Sequence, residues 1–294
     1  MDTKQIEYIL KIAEENNITK AAEKLFITQS ALNQQLLKLE KELGTPLFHR
    51  SRTNWRLTEA GEIYIEGAKA ALQIKNTTYN RIYDVVSARK GHLTIGLTPG
   101  RGLRMFTAIY PELHRSFPNL DVRPIEMRVR AQQDAIAKGD IDVGLMTLTQ
   151  KDQTSDTYYP LKQEELVLII PSGHPLAAKA APSGEPLTTL DLIELRYEPF
   201  VLMDKTSTLR SSCDLLFEKA GFAPNILFET NNTSGIAAMV QSTLCCGIIP
   251  RYYTLGLTEG VACFSLPERP SWEIVISCQK NGYLNSGARE FIRL

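Results

Sequence analysis

Apolar residues near the start of the chain recur at helical spacing. Ile6, Ile9, Leu10 and Ala13 predict a short amphipathic first helix. Thr19 to Gly44 then reads as two helices with a very short break. Thr19 is placed to cap the first, with Ala21, Ala22 and Leu25 along one side, and Phe26 and Ile27 fill the turn. Thr28 can cap the second by accepting an otherwise orphaned backbone N–H. Along that second helix Leu32, Leu36, Leu39 and Leu43 recur at i, i+4, i+7 and i+11 and make one apolar stripe. Gln29, Ser30, Asn33 and Gln34 share another face near the helix N-terminus. Gly44 ends the helix.

Two readings fit the pair. One is an αα-hairpin with a solvated polar face inside an ordinary domain. The other is a helix-turn-helix whose second helix offers donors and acceptors to base edges in a major groove. The flanking sequence favours the second. Residues 44–61, GTPLFHRSRTNWRLTEAG, place apolar Leu47 and Phe48 before Arg50, Arg52 and Arg56, with Asn54 as turn former. That is a small β-hairpin, a wing able to touch phosphates or a minor groove.

From Thr58 to about Arg89 the pattern is helical, with Ile63, Ala70, Ala71, Ile74, Ile82, Val85 and Val86 as apolar positions and Gly91 as the stop. A helix of that length spans about 45 Å and has little in a small head to bury against. It should pair with its copy in a second subunit, which sets two heads on one roughly palindromic duplex. Packing on its own chain is the alternative. After Gly91 strands alternate with helices. Strands are expected at 93–97, 122–126, 141–145, 166–170, 200–203, 226–229, 246–249 and 273–278. Helices are expected at 102–117, 130–138, 189–195, 207–220, 234–241 and 287–292. The alternation implies βαβ units and a parallel sheet, arranged as two α/β lobes.

The head TKAAEKLFITQSALNQQLLKLE (19–40) and the wing from Leu47 through Arg56, Leu57 and Thr58 to Gly61 resemble the LysR-type transcriptional regulators. The match covers most of the first sixty residues, and the rest agrees in length and layout. The resemblance implies an α plus α/β multidomain protein. A winged helix-turn-helix occupies 1–58 and a linker and dimerisation helix 59–90. A two-lobed, periplasmic-binding-protein-like effector domain follows, with lobe I at 91–161 and 267–294 and lobe II at 162–266. The expected DNA contacts are Thr28, Gln29, Ser30, Asn33, Gln34, Lys38, Arg50, Arg52 and Arg56. The chain departs from the family in having Ser30 where Pro is frequent, Asn33 and Gln34 where Ser and Arg are frequent, and Leu37 where a basic residue is common. Two cations are therefore missing from the DNA-facing helix, which shifts phosphate binding toward the wing. A homodimer, a homotetramer by resemblance, and RNA polymerase as a further partner are the expected assemblies.

Composition narrows the alternatives. The chain has 294 residues, 33 Lys plus Arg and 33 Asp plus Glu, hence a formal charge of zero. That disfavours a nonspecific nucleic-acid binder but suits a site-specific dimer with local cations. There is no run of about 18 apolar residues and no basic segment preceding an apolar one at the start, so a soluble cytoplasmic protein is expected. The five cysteines form no C-x-x-C, and the four histidines are scattered, so neither a metal nor a cofactor is expected. Reduced core thiols are the default, with thiol sensing at Cys245 and Cys246 as the alternative.

Open α/β sheets bind ligands beyond the carboxyl ends of their strands. Hydroxyl, glycine or cationic residues stand at those ends: Thr98, Gly100, Arg101, Arg128, Thr147, Thr206, Ser207 and Thr233. Each can be a plain cap, but their repetition in both lobes favours an effector cleft between them. Gly100 and Gly102 begin a G-x-G-x-x-G fingerprint that Met105 breaks, which disfavours dinucleotide binding. Arg101, Arg128 and Arg130 near these ends favour an anionic effector. A small-molecule enzyme and a solute-binding module are the competing classes. Against an enzyme, no G-x-S-x-G, H-E-x-x-H or Walker loop appears, so no catalytic residue is expected.

Overall fold

The computed structural model describes residues 2–51, 55–86, 89–182, 184–257 and 259–294. The chain divides into two compact units, Met1–His92 and Leu93–Leu294.

In the first unit α1 (Thr3–Glu15), α2 (Ile18–Lys24) and α3 (Gln29–Leu43) surround Ile9, Ile12, Leu32 and Leu36, all fully buried. Thr28 caps α3 as expected, its hydroxyl accepting the Ala31 N–H at 3.2 Å, and Gly44 closes the helix at φ 72°. Three details differ. The cap of α2 is Asn17, not Thr19; its amide oxygen accepts the Thr19 and Lys20 N–H groups and so satisfies two orphan donors at once. The α3 stripe ends at Leu39, because Leu43 lies beyond the reach of α1 and α2 and is exposed. Phe26 does not fill the turn. It sits at φ 54° and is 94 % exposed, while Leu25 and Ile27 take the inward positions.

The wing is an antiparallel pair, β1 (Phe48–His49) with β2 (Arg56–Leu57), tied to the end of α1 by the Trp55 N–H on the Asn16 carbonyl at 2.8 Å. The long helix α4 (Glu59–Val85) starts from Thr58, which accepts the Gly61 N–H and donates to the Pro46 carbonyl. Gly61 is required here: a Cβ would overlap the Leu47 carbonyl oxygen, so α4 packs closely on the wing stem only through glycine. The helix has 27 residues, about 40 Å. It ends at Val85 rather than running to Arg89, and Gly91 lies within the next strand. A tertiary tie fixes that exit, for buried Asn80 donates to the His92 carbonyl and accepts the His92 N–H. Along α4 Ile63, Ile74, Ile82 and Val85, and Val86 at its C-cap, are more than half exposed.

The second unit is built on β3 (Lys90–Leu97), β4 (Asn119–Glu126), β5 (Val143–Leu148), β6 (Thr157–Pro171), β7 (Pro199–Met203), β8 (Asn225–Thr230), β9 (Gly247–Pro250), β10 (Val261–Ser265) and β11 (Ser271–Cys278). Its helices are α5 (Arg101–Ser116), α6 (Val129–Lys138), α7 (Thr208–Ala220), α8 (Thr233–Gln241) and α9 (Ser286–Arg293). One sheet runs β10-β6-β11-β5-β3-β4, with β9 also on β6, and β7 pairs with β8 separately. Parallel pairing holds for β3–β5 and β7–β8, as βαβ units require. The whole is mixed rather than parallel, since β11 runs antiparallel to both β5 and β6. The strand β6 joins the lobes. Its first part, Thr157–Glu165, pairs with β11, and from Leu166 it pairs with β9 and β10. Only its apolar second part has a strand-like pattern in sequence; the first part is polar and contains Pro160. The stretch 189–195 is not an α-helix but a single 3-10 turn, Leu192–Leu195, capped by Asp191.

Candidate functional site: a polar helix face and an interlobe cavity

On α3, Gln29, Ser30, Gln34 and Lys38 are exposed and Asn33 is half-buried; among the described residues none of these side chains makes a hydrogen bond. Their donors and acceptors are available to an outside partner. Thr28 is exposed beside them, with its oxygen engaged in capping. Arg56 is exposed on β2. Arg52 lies outside the described residues, as does Asn54.

Arg50 behaves differently from the expectation. Its guanidinium is bound to Glu40 and lies 5.5 Å from the Trp55 ring. Glu40 is buried and also accepts the Leu47 N–H at 2.8 Å. The pair fastens the wing stem to α3, so the Arg50 guanidinium already has a partner within the head.

In the second unit a cavity of about 560 Å³ lies between the lobes. All eight residues singled out at strand ends line it: Thr98, Gly100, Arg101, Arg128, Thr147, Thr206, Ser207 and Thr233. Four helices start at its wall. α7 is capped by Ser207 and α8 by Asn232, the latter in place of Thr233. Thr233 instead directs its hydroxyl to the Met203 sulfur at 3.7 Å. α5 and α6 have Gly100 and Arg128 at their cap positions and no side-chain cap bond. The Arg101 and Gly102 N–H groups of α5 are taken by the Pro99 and Thr98 carbonyls, both at 2.9 Å, whereas the first N–H groups of α6 have no such partner among the described residues. Gly100 adopts φ 72°, which favours glycine. The Thr98 hydroxyl is buried without a hydrogen-bond partner among the described residues. Unpaired donors at the α6 N-terminus make a favourable setting for an anionic group.

Two cations in the wall, Arg101 and Arg128, are already engaged. Arg101 reaches Glu164 at 3.2 Å and stacks on Tyr252 at 3.5 Å, while Glu164 also accepts the Trp272 indole N–H at 3.1 Å. Arg128 makes two 2.7 Å contacts with Asp204. The Arg128 hydrogen bond holds the Asp204 carboxyl down at about 2, against a partial opposing effect of burial. Burial pushes the Tyr253 hydroxyl up. Arg130 is exposed and does not line the cavity, because the helical turn from Arg128 carries it outward. Arg104 does line it, one turn into α5, and was visible in sequence only as another helical arginine.

The cysteines are free and four are buried. Burial raises the thiol of every one, pushing Cys213 and Cys246 up to about 12. Such thiols are poor nucleophiles at neutral pH, which disfavours thiol sensing at Cys245 and Cys246. Among the described residues no helix is long and apolar enough to cross a membrane.

Residues 3–62 match the family model for the bacterial regulatory helix-turn-helix protein, lysR family, and residues 87–294 match that for the LysR substrate binding domain. The chain belongs to the LysR family. It is a transcriptional regulator of that family, with a DNA-binding helix-turn-helix and an effector-binding domain. Relatives of this LysR regulator include YcgK of Bacillus subtilis, an uncharacterized HTH-type transcriptional regulator. It is 29% identical over 306 residues, covering 100% of this chain and 94% of YcgK. The Hca operon transcriptional activator HcaR of Escherichia coli is 26% identical, covering 100% of this chain and 97% of HcaR. Among solved structures, a full-length OxyR variant from Pseudomonas aeruginosa has a TM-score of 0.70 at 22% identity, over 100% of this chain and 95% of that one. Full-length CbnR complexed with its target DNA has a TM-score of 0.68 at 20% identity, over 100% and 98%. At those identities the likeness is one of fold: head, long helix and two-lobed α/β domain.

Proposed function

We propose that this LysR regulator reads DNA through the unpaired polar face of α3 and answers to a small anionic molecule held in the interlobe cavity. The observation that carries the effector half is convergence. Eight residues scattered from Thr98 to Thr233 line one cavity, where α6 presents an uncapped N-terminus and the Thr98 hydroxyl is unpaired among the described residues. Gln29, Ser30, Asn33 and Gln34 carry base readout, with Thr28 and Lys38 beside them. Arg52 and Arg56 carry phosphate contact. Arg50 contributes chiefly by holding the wing in place. The working division is head 1–58, linker helix 59–90, lobe I 91–161 with 267–294, and lobe II 162–266.

Two copies pair along the exposed apolar positions of α4, and the pair assembles further into a tetramer. A dimer with two α3 helices requires a roughly palindromic operator. The effector acts by binding one arrangement of the lobes better than another, and RNA polymerase is the downstream partner in the cytoplasm. No catalytic role is assigned to any residue. The test is a footprint on the DNA upstream of the protein's own gene, with and without metabolites that raise its melting temperature in a screen. A protected, roughly two-fold symmetric site that shifts with such a metabolite is expected. Turnover of a metabolite without DNA protection would overturn the reading.

A further inference from the structure

The two lobes are fastened across the cavity by a charged cluster. Arg128 stands at the N-cap of α6, in the lobe built on β3, β4 and β5. Asp204 and Thr206 stand in the turn after β7, in the other lobe. Arg128 Nη1 donates to Asp204 Oδ1 at 2.7 Å, and Nη2 lies 2.7 Å from Oδ2 as a close ion contact that is not a second hydrogen bond. Thr206 completes the cluster. It accepts from Arg128 Nη1 at 2.5 Å and donates its hydroxyl and its backbone N–H to Asp204 Oδ1 at 2.6 and 3.0 Å. A second tie across the cavity is neutral, the Thr208 hydroxyl on the Thr147 carbonyl at 3.1 Å.

Three features set the charged tie apart from a structural ion pair. Arg128 and Thr206 both line the cavity, so a bound molecule would lie beside them. The side chains of Arg128 and Asp204 are 39% and 27% exposed, so neither carries the heavy penalty of an uncovered buried charge if the pair opens. Asp204 also presents to Arg128 what a small carboxylate would present: one oxygen that accepts from Nη1 and a second close to Nη2. The nearby Arg101–Glu164 pair differs on the second count, with Glu164 buried and held by Trp272.

We propose that Asp204 is an internal occupant of the effector site. It holds Arg128 while the cavity is empty, and a ligand bearing a carboxylate or similar planar oxyanion displaces it by taking over the guanidinium. This rests on the interlobe cavity being the effector site. It adds the ligand's reacting group, its partner, and the contact whose loss signals occupancy. Exchange of one carboxylate for another at Arg128 opens the charged tie between the lobes while leaving the cation satisfied. Ligand binding is thereby coupled to lobe position.

Asp204→Asn tests it, because Asn keeps an oxygen for the Thr206 N–H and removes the competing charge. Full-length wild type, D204N and the double variant D204N/R128Q would be titrated calorimetrically with acetate, benzoate and succinate. An internal competitor worth one or two charge-assisted hydrogen bonds, attenuated by solvent, should weaken external carboxylates on the order of tenfold. D204N should therefore bind at least one of the three about tenfold more tightly than wild type, and D204N/R128Q should lose that gain. Equal affinity in wild type and D204N, or no binding by D204N, would overturn the proposal. A gain that survives in the double variant would also overturn it, while leaving the cavity as an anion site elsewhere along its wall. The effector-site reading itself fails separately, if metabolites that stabilise the protein do so unchanged in a Thr98→Val variant.

Discussion

Replacing Arg50 and Arg56 separately by alanine distinguishes two ways in which a cation can serve a wing. Arg56 is exposed on β2, and its loss should affect only the DNA. Arg50 binds Glu40, whose other oxygen holds the Leu47 N–H, and its guanidinium lies 5.5 Å from Trp55. Removing it leaves a buried carboxylate with one partner fewer. Hydrogen bonds to charged groups contribute about 1.5–3 kcal/mol, and the Arg50 side chain is 37% exposed, which places the loss near the lower end. The cation–π contact adds about 0.5 kcal/mol at such a site. The sum is about 2 kcal/mol. For a head of this size each kcal/mol shifts the melting temperature by about 4–8 °C, so a fall on the order of 10 °C is expected. Thermal unfolding followed by Trp55 fluorescence, in a Trp272→Phe background shared by all variants, reads it. DNA affinity across salt concentrations reads the other effect. Arg56→Ala should reduce the log–log slope by about 0.9 with no change in melting. Arg50→Ala should lower melting and leave the slope within error. An Arg50→Ala protein that melts like wild type and loses a full unit of slope would refute the assignment of Arg50 as a wing support.

Other expectations follow from the same geometry. Gly61→Ala should destabilise the head by about 1–3 kcal/mol in urea unfolding, although alanine is the better helix former, because its methyl group would overlap the Leu47 carbonyl; a gain in stability would contradict the packing. Ile74→Glu with Ile82→Glu should shift the sedimentation of the full chain toward monomer without lowering its helix content; unchanged sedimentation would remove α4 as the pairing surface. Gln29→Ala and Asn33→Ala should change which bases are preferred, by about 1–3 kcal/mol per good contact, in a binding selection from random DNA; an equal loss on every sequence would contradict base readout. Asp204 titrates below its ordinary value, so its pairing supports the fold fully above about pH 4 and is lost as pH falls through about 2. The stability difference between wild type and Asp204→Asn, on the order of 1 kcal/mol for so accessible a pair, should shrink across that window. A difference constant from pH 5 to pH 2 would show that the pair does not form.

Much of this protein is written in local order. Helical periodicity, Thr28 and Gly44 define α3, since a stripe at i, i+4 and i+7 needs only one neighbour to bury it. The strand-end residues could be singled out one by one, because a hydroxyl or cation between a strand and a helix is a feature of a few adjacent positions. What adjacency does not carry is the partner at long range. That Arg50 belongs to Glu40, and Arg128 to Asp204 across 76 residues, depends on where helices and strands come to rest. The polar first part of β6 becomes a strand because β11 pairs with it, and α4 stops at Val85 near a tie from Asn80 to His92. Sequence by itself determined most of the elements, the family resemblance and eight of the residues gathered at the cavity. Tertiary structure decided which charges are already occupied, because hydrogen bonds and ion pairs act over a few ångströms and only the folded chain brings such distant groups that close.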